Sequence, residues 1–401
     1  MNVLLCLLSG QHVPNLLSVH QFAPDRLVLV ETPGMRKQHA ADNFLQALKL
    51  GSHDYHDRCS IHLLEAEDCL ETVNRTLRAA FGQYPTAEWV VNLTGGTKPM
   101  SIAAYEFFKA LGARLVYINM QRPNELLGLD GVPTEVCDYQ PTVTEFLAGY
   151  GFESRKTVPA LTAAETRARS LWHGARTIAA CCPERTLLFL GDIQDPQVKK
   201  SWDKARKKGM ELRSEHLPEV PEEVNSALAD GLDLGMQDGR LVGELDKYGV
   251  DFLTGGWLEV FLWGLLNQCA GELGIWDVRL GPQFGRVGID TDSEFDIAFM
   301  HRHRLAIVEC KSGAQEHDPG ADVLHKLEAV VRQFRALLVT SYLATTSPNV
   351  WDKSQSIRPA VRNRAAIYAC RILDCRAIQR LAVTEEPVAV LRELLFEHQG
   401  S

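Results

Sequence analysis

The 401-residue sequence predicts a doubly wound α/β domain followed by a second, mixed α/β domain. Three observations carry this. Short apolar runs alternate with amphipathic helical patterns over the first 140 residues, loops rich in glycine and small polar residues follow two of those runs, and strand-like runs bearing acidic residues cluster after residue 246. Strands separated by helices imply parallel pairing through right-handed crossovers.

The predicted strands of the first region are Val3–Leu8, Arg26–Glu31, Ser60–Leu64, Glu88–Asn92 and Arg114–Asn119. Between them lie helical patterns at Pro14–Gln21, Arg36–Leu50, Glu67–Phe81 and Pro99–Leu111. Met1–Leu8 superficially resembles a signal peptide, but it lacks a basic leader and a small-residue cleavage site. It reads as a buried first strand. The result is a Rossmann-like domain over residues 1–140, whose ligands are expected beyond the carboxyl ends of the strands. Residues 141–245 form a connecting region of helical stretches and a short apolar strand, Thr186–Leu190, with no fold assignable from pattern. From 246, Gly255-Gly256-Trp257-Leu258-Glu259 opens an apolar helix. Strands follow at Trp276–Gly281, Ser293–Met300 and Leu305–Lys311, then a helix at Val323–Ala336 and a strand at Leu337–Ala344.

Composition narrows the function classes. Hydrophobic residues make up 45% and charged residues 23%, as in a soluble globular chain. No apolar run of about twenty residues stands out as a membrane span, and a cytoplasmic location is expected. Ten cysteines without a CxxC spacing read as reduced core residues. The net charge of −9 argues against a surface wholly devoted to nucleic acid. One basic run, Lys199, Lys200, Lys204, Arg206, Lys207 and Lys208, is either a phosphate contact or a solvated helix face.

The second region carries a chemical constellation. Glu309 and Lys311 flank Cys310 on a strand, so they project to one face while Cys310 points to the other. Asp296 is placed on the neighbouring strand at matching depth, and Glu259 on the upstream helix. Hard divalent ions such as Mn²⁺ or Mg²⁺ take carboxylate oxygens, and a lysine beside them offsets charge in phosphodiester hydrolysis. Asp296 followed thirteen residues later by Glu309-x-Lys311 resembles the PD-(D/E)xK nuclease superfamily. That resemblance implies a restriction-endonuclease-like domain over 246–401, with Glu259, Asp296, Glu309 and Lys311 catalytic and the three carboxylates as metal ligands. No proline precedes Asp296, a departure from the pattern. His325, Lys326, Arg332 and Arg335 on the next helix are secondary phosphate-contact candidates.

Two loops stand at the expected ligand edge of the first domain: Ser9-Gly10-Gln11-His12 and Thr94-Gly95-Gly96-Thr97-Lys98. The second has small residues and opens a helix at Pro99, a suitable setting for an anion. It lacks the Walker A spacing. Asn92-Leu-Thr-Gly-Gly-Thr-Lys-Pro-Met together with Ser9-Gly10-Gln11-His12-Val13-Pro14-Asn15 resembles the CRISPR-associated Rossmann-fold (CARF) domain. The resemblance implies a homodimer that binds a cyclic oligoadenylate, cyclic tetra-adenylate in particular, through Ser9, Gln11, Thr94, Gly95, Gly96, Thr97 and Lys98. It further implies an antiviral nuclease of type III CRISPR systems that cleaves DNA, RNA or both, favouring single strands and nicking supercoiled DNA. Some relatives place a winged-helix-like element in the connection. Two alternatives stand beside this: a metal-independent HEPN-type ribonuclease using Arg167 and His173, and a nucleotide-responsive nucleic-acid-binding regulator with a dead nuclease remnant.

Overall fold

In the computed structural model the described residues are 1–122, 124–129, 131–182, 202, 204–213, 221–290, 292–312 and 339–397. The expected strand Thr186–Leu190, the basic residues Lys199 and Lys200, and the helix Val323–Ala336 with its four candidate residues lie outside them.

The N-terminal sheet has seven strands in the order β3-β2-β1-β4-β5-β6-β7. Its first five strands are β1 (Asn2–Leu7), β2 (Arg26–Glu31), β3 (Cys59–Leu63), β4 (Glu88–Asn92) and β5 (Arg114–Ile118), all parallel. Two antiparallel strands, β6 (Glu125–Gly128) and β7 (Glu135–Val136), extend one edge. β1 and β2 read as near-continuous apolar runs because both faces are covered, by Leu4, Cys6 and Leu27 on one side and Val3, Leu5 and Val28 on the other. Helices α1 (Val13–Phe22), α2 (Pro33–Lys37), α3 (Ala40–Leu50), α4 (Leu70–Gln83) and α5 (Lys98–Ala110) supply the cover. The single helix expected over Arg36–Leu50 is broken, because His39 takes a left-handed conformation with φ 53°. Strand order reverses between β1 and β4, so the loops after these strands flank a crevice at the switch point.

The connection begins with α6 (Val143–Ala148), β8 (Phe152–Ser154) and the long helix α7 (Val158–Ala180). Strand β9 (Met210–Leu212), helix Glu222–Leu232 and the hairpin β10 (Gly235–Gln237) and β11 (Arg240–Leu245) follow, with β11 pairing β9.

The C-terminal sheet runs β12-β15-β16-β17-β18. Strands β12 (Ile275–Leu280), β15 (Ile297–His301) and β16 (Arg304–Lys311) are antiparallel, whereas β17 (Val339–Thr345) and β18 (Cys370–Leu373) continue parallel to β16. Helix Trp257–Leu273 packs on one face with Trp257, Phe261 and Trp263 almost fully buried. The stretch Lys247–Leu273 has the length and composition of a membrane span, but 72% of its apolar window is packed inside the fold. That burial makes it a core helix.

One expected strand, Ser293–Met300, divides. β14 (Asp292–Glu294) joins β13 (Gln283–Arg286) and β8 in a small separate sheet, and β15 starts only at Ile297. Between them Phe295 is buried near the Phe284 ring, 6.2 Å between centroids, and Asp296 turns towards the end of β16. Asp296 therefore sits in the crossing between two sheets rather than within a strand.

Candidate functional sites

The carboxylate cluster is assembled by three local devices. On β16, alternation puts Glu309 and Lys311 on one face, with Lys311 Nζ 2.7 Å from Glu309 Oε1, while Cys310 is buried in the core opposite. Asp296 accepts the Cys310 backbone N–H at 2.6 Å and lies 3.8 Å from Lys311 Nζ. The third device is a π-turn, Phe252–Gly256, leading into helix Trp257–Leu273. Gly255 there has φ 147°, and an added Cβ would stand 2.7 Å from Ser312 Oγ, the residue after Lys311. Only glycine allows that approach, which brings Glu259, in the helix's first turn, to the end of β16.

Electrostatics bind the four residues together. Glu259 is half-buried, and its carboxyl is pushed up to about 8 by burial, then by the charges of Asp296 and Asp251, against the attraction of Lys311. Lys311 holds its proton more tightly than a free lysine despite burial, because Asp296 and Glu309 face it. Glu309 is 3% exposed and has Lys311 as its ion-pair partner. Glu259, Asp296 and Glu309 offer hard oxygen donors whose mutual repulsion a divalent cation would relieve, so the donor set fits such an ion. Among the described residues no three His, Cys, Asp or Glu side chains already converge on one point; Lys311 lies between the carboxylates instead.

Two neighbours were not among the sequence candidates for this cluster. Asp251 precedes the π-turn; its carboxyl is raised by burial and lowered by Arg206. Arg206 belongs to the basic run and donates to Thr254 Oγ1 at 2.8 Å and Thr254 O at 3.0 Å. That bond ties the segment bearing the exposed residues Lys204, Lys207 and Lys208 to the π-turn that leads into the cluster. A π-turn is invisible to helical periodicity, so no sequence pattern joins residue 206 to residue 254.

The loops at the β1/β4 crevice are held by a buried amide pair. Asn92 Nδ2 donates to Asn15 Oδ1 at 2.9 Å and to Pro14 O at 3.1 Å, while Asn15 Nδ2 donates to Leu7 O at 3.0 Å. Thr94 is committed inward: its hydroxyl donates to Asn92 Oδ1 at 2.6 Å and accepts from Ile118 N at 2.8 Å. A Cβ on Gly95 would meet Leu7 O at 2.0 Å, so that glycine lets β1 and the loop touch. Gly96 needs its positive φ of 76°. Ser9 closes a local turn with Gln11, accepting its N–H at 3.3 Å and donating to its carbonyl at 3.1 Å. Thr97 Oγ1 donates to Glu67 O at 3.2 Å. Gln11 and Lys98 stand half-buried and exposed, and Lys98 opens helix α5. Thr94 and Gly95 thus build the loop, whereas Gln11, Gly96, Thr97 and Lys98 line its open side.

His12 faces the opposite way. It is buried, neither ring nitrogen has a hydrogen-bond partner among the described residues, and it packs edge-on against Tyr150 at 4.3 Å. Burial depresses its pKa to about 3, so the ring is neutral.

Residues 3–135 match the family described as the Card1 CARF domain, and residues 246–365 match the Card1-like endonuclease domain. The chain thus carries a CARF domain and a Card1-like endonuclease domain. No curated protein matches it. Among solved structures, protein VC1899 from Vibrio cholerae superposes with a TM-score of 0.75 at 16% identity, over 95% of this chain and 96% of that one. Can2 from Sulfobacillus thermosulfidooxidans, in complex with cyclic tetra-adenylate, gives 0.70 at 18% identity over 99% and 100%. A type III CRISPR defence DNA nuclease activated by cyclic oligoadenylate gives 0.50 at 18% identity over 91% of this chain and 51% of that one. At these identities the likeness is one of fold. The endonuclease match spans Glu259, Asp296, Glu309 and Lys311, and the CARF match spans both crevice loops.

Proposed function

We propose that this CARF endonuclease is a metal-dependent phosphodiesterase that cleaves DNA, RNA or both when its sensor domain binds a cyclic oligoadenylate, in type III CRISPR defence. The observation that carries it is Lys311 set between Glu309 and Asp296, with the Glu259 carboxyl held up by burial and then by the charges of Asp296 and Asp251. Glu259, Asp296 and Glu309 would hold Mn²⁺ or Mg²⁺, which when bound supplies positive charge to the scissile phosphate and acidifies a water. Lys311 would orient the attacking water and counter charge developing on the phosphate oxygens. The exposed residues Lys204, Lys207 and Lys208 would steer the nucleic-acid backbone towards this otherwise acidic chain.

The activator reading is supported by the CARF match and by the complex in which Can2 was solved. Cyclic tetra-adenylate would lie over Gln11, Gly96, Thr97 and Lys98, its repeated phosphates facing backbone amides and Lys98. A cyclic ligand with repeated units suits two copies of the chain related by a two-fold axis. A continuous core connects the crevice to the nuclease: Val13 and Leu17 of α1, Phe146 of α6, and Phe284, Phe295 and Ile307 form one cluster. Phe295 adjoins Asp296 in sequence, so movement at the crevice has a packed route to a cluster carboxylate.

The HEPN alternative is disfavoured by Arg167, whose guanidinium stacks over the Tyr248 ring at 3.8 Å. The dead-nuclease alternative is disfavoured by the ion pairs of Lys311 with Glu309 and Asp296, close enough to Glu259 for their charges to act on its carboxyl. The test is cleavage of labelled single- and double-stranded DNA and RNA with Mn²⁺, with and without cyclic tetra- and hexa-adenylate. Activity that needs an activator and vanishes in EDTA is expected. Cleavage that persists in EDTA would overturn the metal-dependent reading.

A further inference from the structure

At the far end of the nuclease sheet lies a cavity of about 610 Å³ lined by four arginines, Arg302, Arg304, Arg371 and Arg392. Arg304 begins β16 and Glu309–Lys311 end it, so the cavity is on the order of 20 Å from the carboxylate cluster at the usual rise of a strand. Met120 and Gln121 of the sensor domain close one side. None of the four guanidinium groups pairs with a carboxylate among the described residues, although Glu397 also lines the cavity. Arg371 donates to Glu397 O at 2.7 Å and Arg392 to Glu272 O at 2.9 Å. Those carbonyl bonds fix the two side chains without neutralising them, leaving N–H groups for a further acceptor.

The turn that presents the other two arginines is held by force of packing. Arg302 and His303 both have positive φ, 48° and 58°, a conformation that non-glycine residues rarely adopt. His303 is 3% exposed, its Nε2 is 2.9 Å from Tyr139 O, and its ring meets Trp276 edge-on at 5.3 Å. Backbone strain of this kind persists where surrounding contacts enforce it. Here it aims Arg302 and Arg304 at the cavity. On the same wall the His301 and Phe396 rings lie 4.0 Å apart, and His301 is kept uncharged, down to about 4, by burial and then by repulsion from the two arginines. Guanidinium forks without a carboxylate partner among the described residues match phosphate oxygens, the half-buried His301–Phe396 pair offers an aromatic wall to a nucleobase, and the volume suits one nucleotide.

We propose that this cavity is a second nucleotide site, taking a nucleoside phosphate with its phosphate oxygens on the arginines and its base against the Phe396–His301 wall. Because it joins the sensor domain to the nuclease sheet, an occupant would bridge both. The inference stands apart from the activator reading, since it shares no residue with the β1/β4 crevice.

Calorimetric titration of the full chain in EDTA tests it, with ATP, AMP, adenosine and orthophosphate as probes. ATP and AMP should bind saturably, ATP more tightly, and adenosine should not. The double variant Arg302→Gln/Arg304→Gln should weaken ATP about 30-fold or more while cyclic tetra-adenylate binding is unchanged. Phe396→Ala should weaken AMP several-fold and leave orthophosphate unaffected. If the double variant does not fold, the lysine pair Arg302→Lys/Arg304→Lys retains charge but loses the fork, and a smaller loss of about 3- to 10-fold is expected. No heat with wild-type protein at millimolar ATP, equal ATP affinity in the arginine variants, or orthophosphate binding as tightly as AMP would each overturn the proposal.

Discussion

Replacing Glu259 with glutamine should change the pH dependence of stability, in a direction the structure fixes. The folded chain holds the Glu259 proton up to about pH 8, whereas an unfolded chain releases it near the ordinary glutamate value of about 4.5. Between those limits the folded state carries the extra proton, so the metal-free protein loses stability as pH rises through that window. The full linkage ceiling is about 1.4 kcal/mol per pH unit, or about 5 kcal/mol in all. Solvent access to a half-buried carboxyl reduces this to about 2 kcal/mol. Glu259→Gln cannot ionise, so its nuclease-domain melting transition should match wild type near pH 5 and lie about 4–8 °C higher at pH 8.5. Mn²⁺ should invert the order, because the ion stabilises only the chain that can bind it. Activator-dependent cleavage should fall at least about 100-fold in the variant. Melting curves of the two proteins that stay parallel from pH 5 to 8.5 in EDTA would refute the electrostatic account of the cluster, and cleavage at the wild-type rate would refute its chemical role.

Glu309→Ala and Lys311→Ala should each reduce cleavage about 100-fold or more in a labelled-substrate assay with cyclic tetra-adenylate affinity unchanged; full activity in both would remove the site assignment. Lys311→Ala should also cost about 3 kcal/mol in chemical denaturation, since it removes the cation 2.7 Å from the Glu309 carboxylate, which is 3% exposed. In the sensor, Gly95→Ala drives a methyl against Leu7 O and should destabilise by about 3 kcal/mol. Thr97→Ala with Lys98→Ala should keep stability within about 1 kcal/mol and weaken activator binding about 10-fold by calorimetry; unchanged affinity would show that this loop does not hold the ligand. Tyr150→Ala removes the ring beneath His12 and should lower activator-stimulated cleavage about 10-fold, a typical coupling energy, while ligand affinity moves less than about 3-fold. An equal loss of binding would place Tyr150 in the ligand site instead.

Much of this architecture was legible because each signal was local. The five parallel strands were readable as apolar runs between amphipathic helices, and β2 and β4 begin and end where the pattern placed them. Glu309 and Lys311 share a face by strand alternation alone, and the structure brings them to 2.7 Å. What escaped the sequence depended on long-range packing. Asp296 was expected within a strand, yet Phe295 is drawn towards Phe284 and the chain changes sheets there. Thr94 was expected to face ligand, but its hydroxyl is spent on Asn92 and Ile118, a bond that exists only once β4 lies beside β5. Arg206 joins the cluster rim through a π-turn that helical spacing does not reveal.

The position of His12 gives the activation problem a scale. Moving a two-state equilibrium from 1:99 to 99:1 requires about 5.5 kcal/mol of differential ligand affinity. In the proposed arrangement of two copies around a two-fold ligand, that would be under 3 kcal/mol each, equivalent to one or two charge-assisted hydrogen bonds formed in only one state. A helix N-terminus with Lys98 beside Gly96 and Thr97 is sufficient for that. The harder requirement is that little be dissipated on the way to Asp296. The loop bearing Gln11 continues into His12, which is wedged on Tyr150 and near Phe146, 5.8 Å between ring centroids. Phe146 shares a core with Phe284 and Phe295, and β8 adds a backbone link to β13, which in turn pairs with β14, a strand that ends two residues before Asp296. A dense apolar core shifts between discrete packings rather than deforming gradually. A His12 ring whose two nitrogens have no hydrogen-bond partner among the described residues is also worth less to the observed packing than a satisfied one, so the arrangement seen here would be the more easily displaced by a ligand that moved the loop.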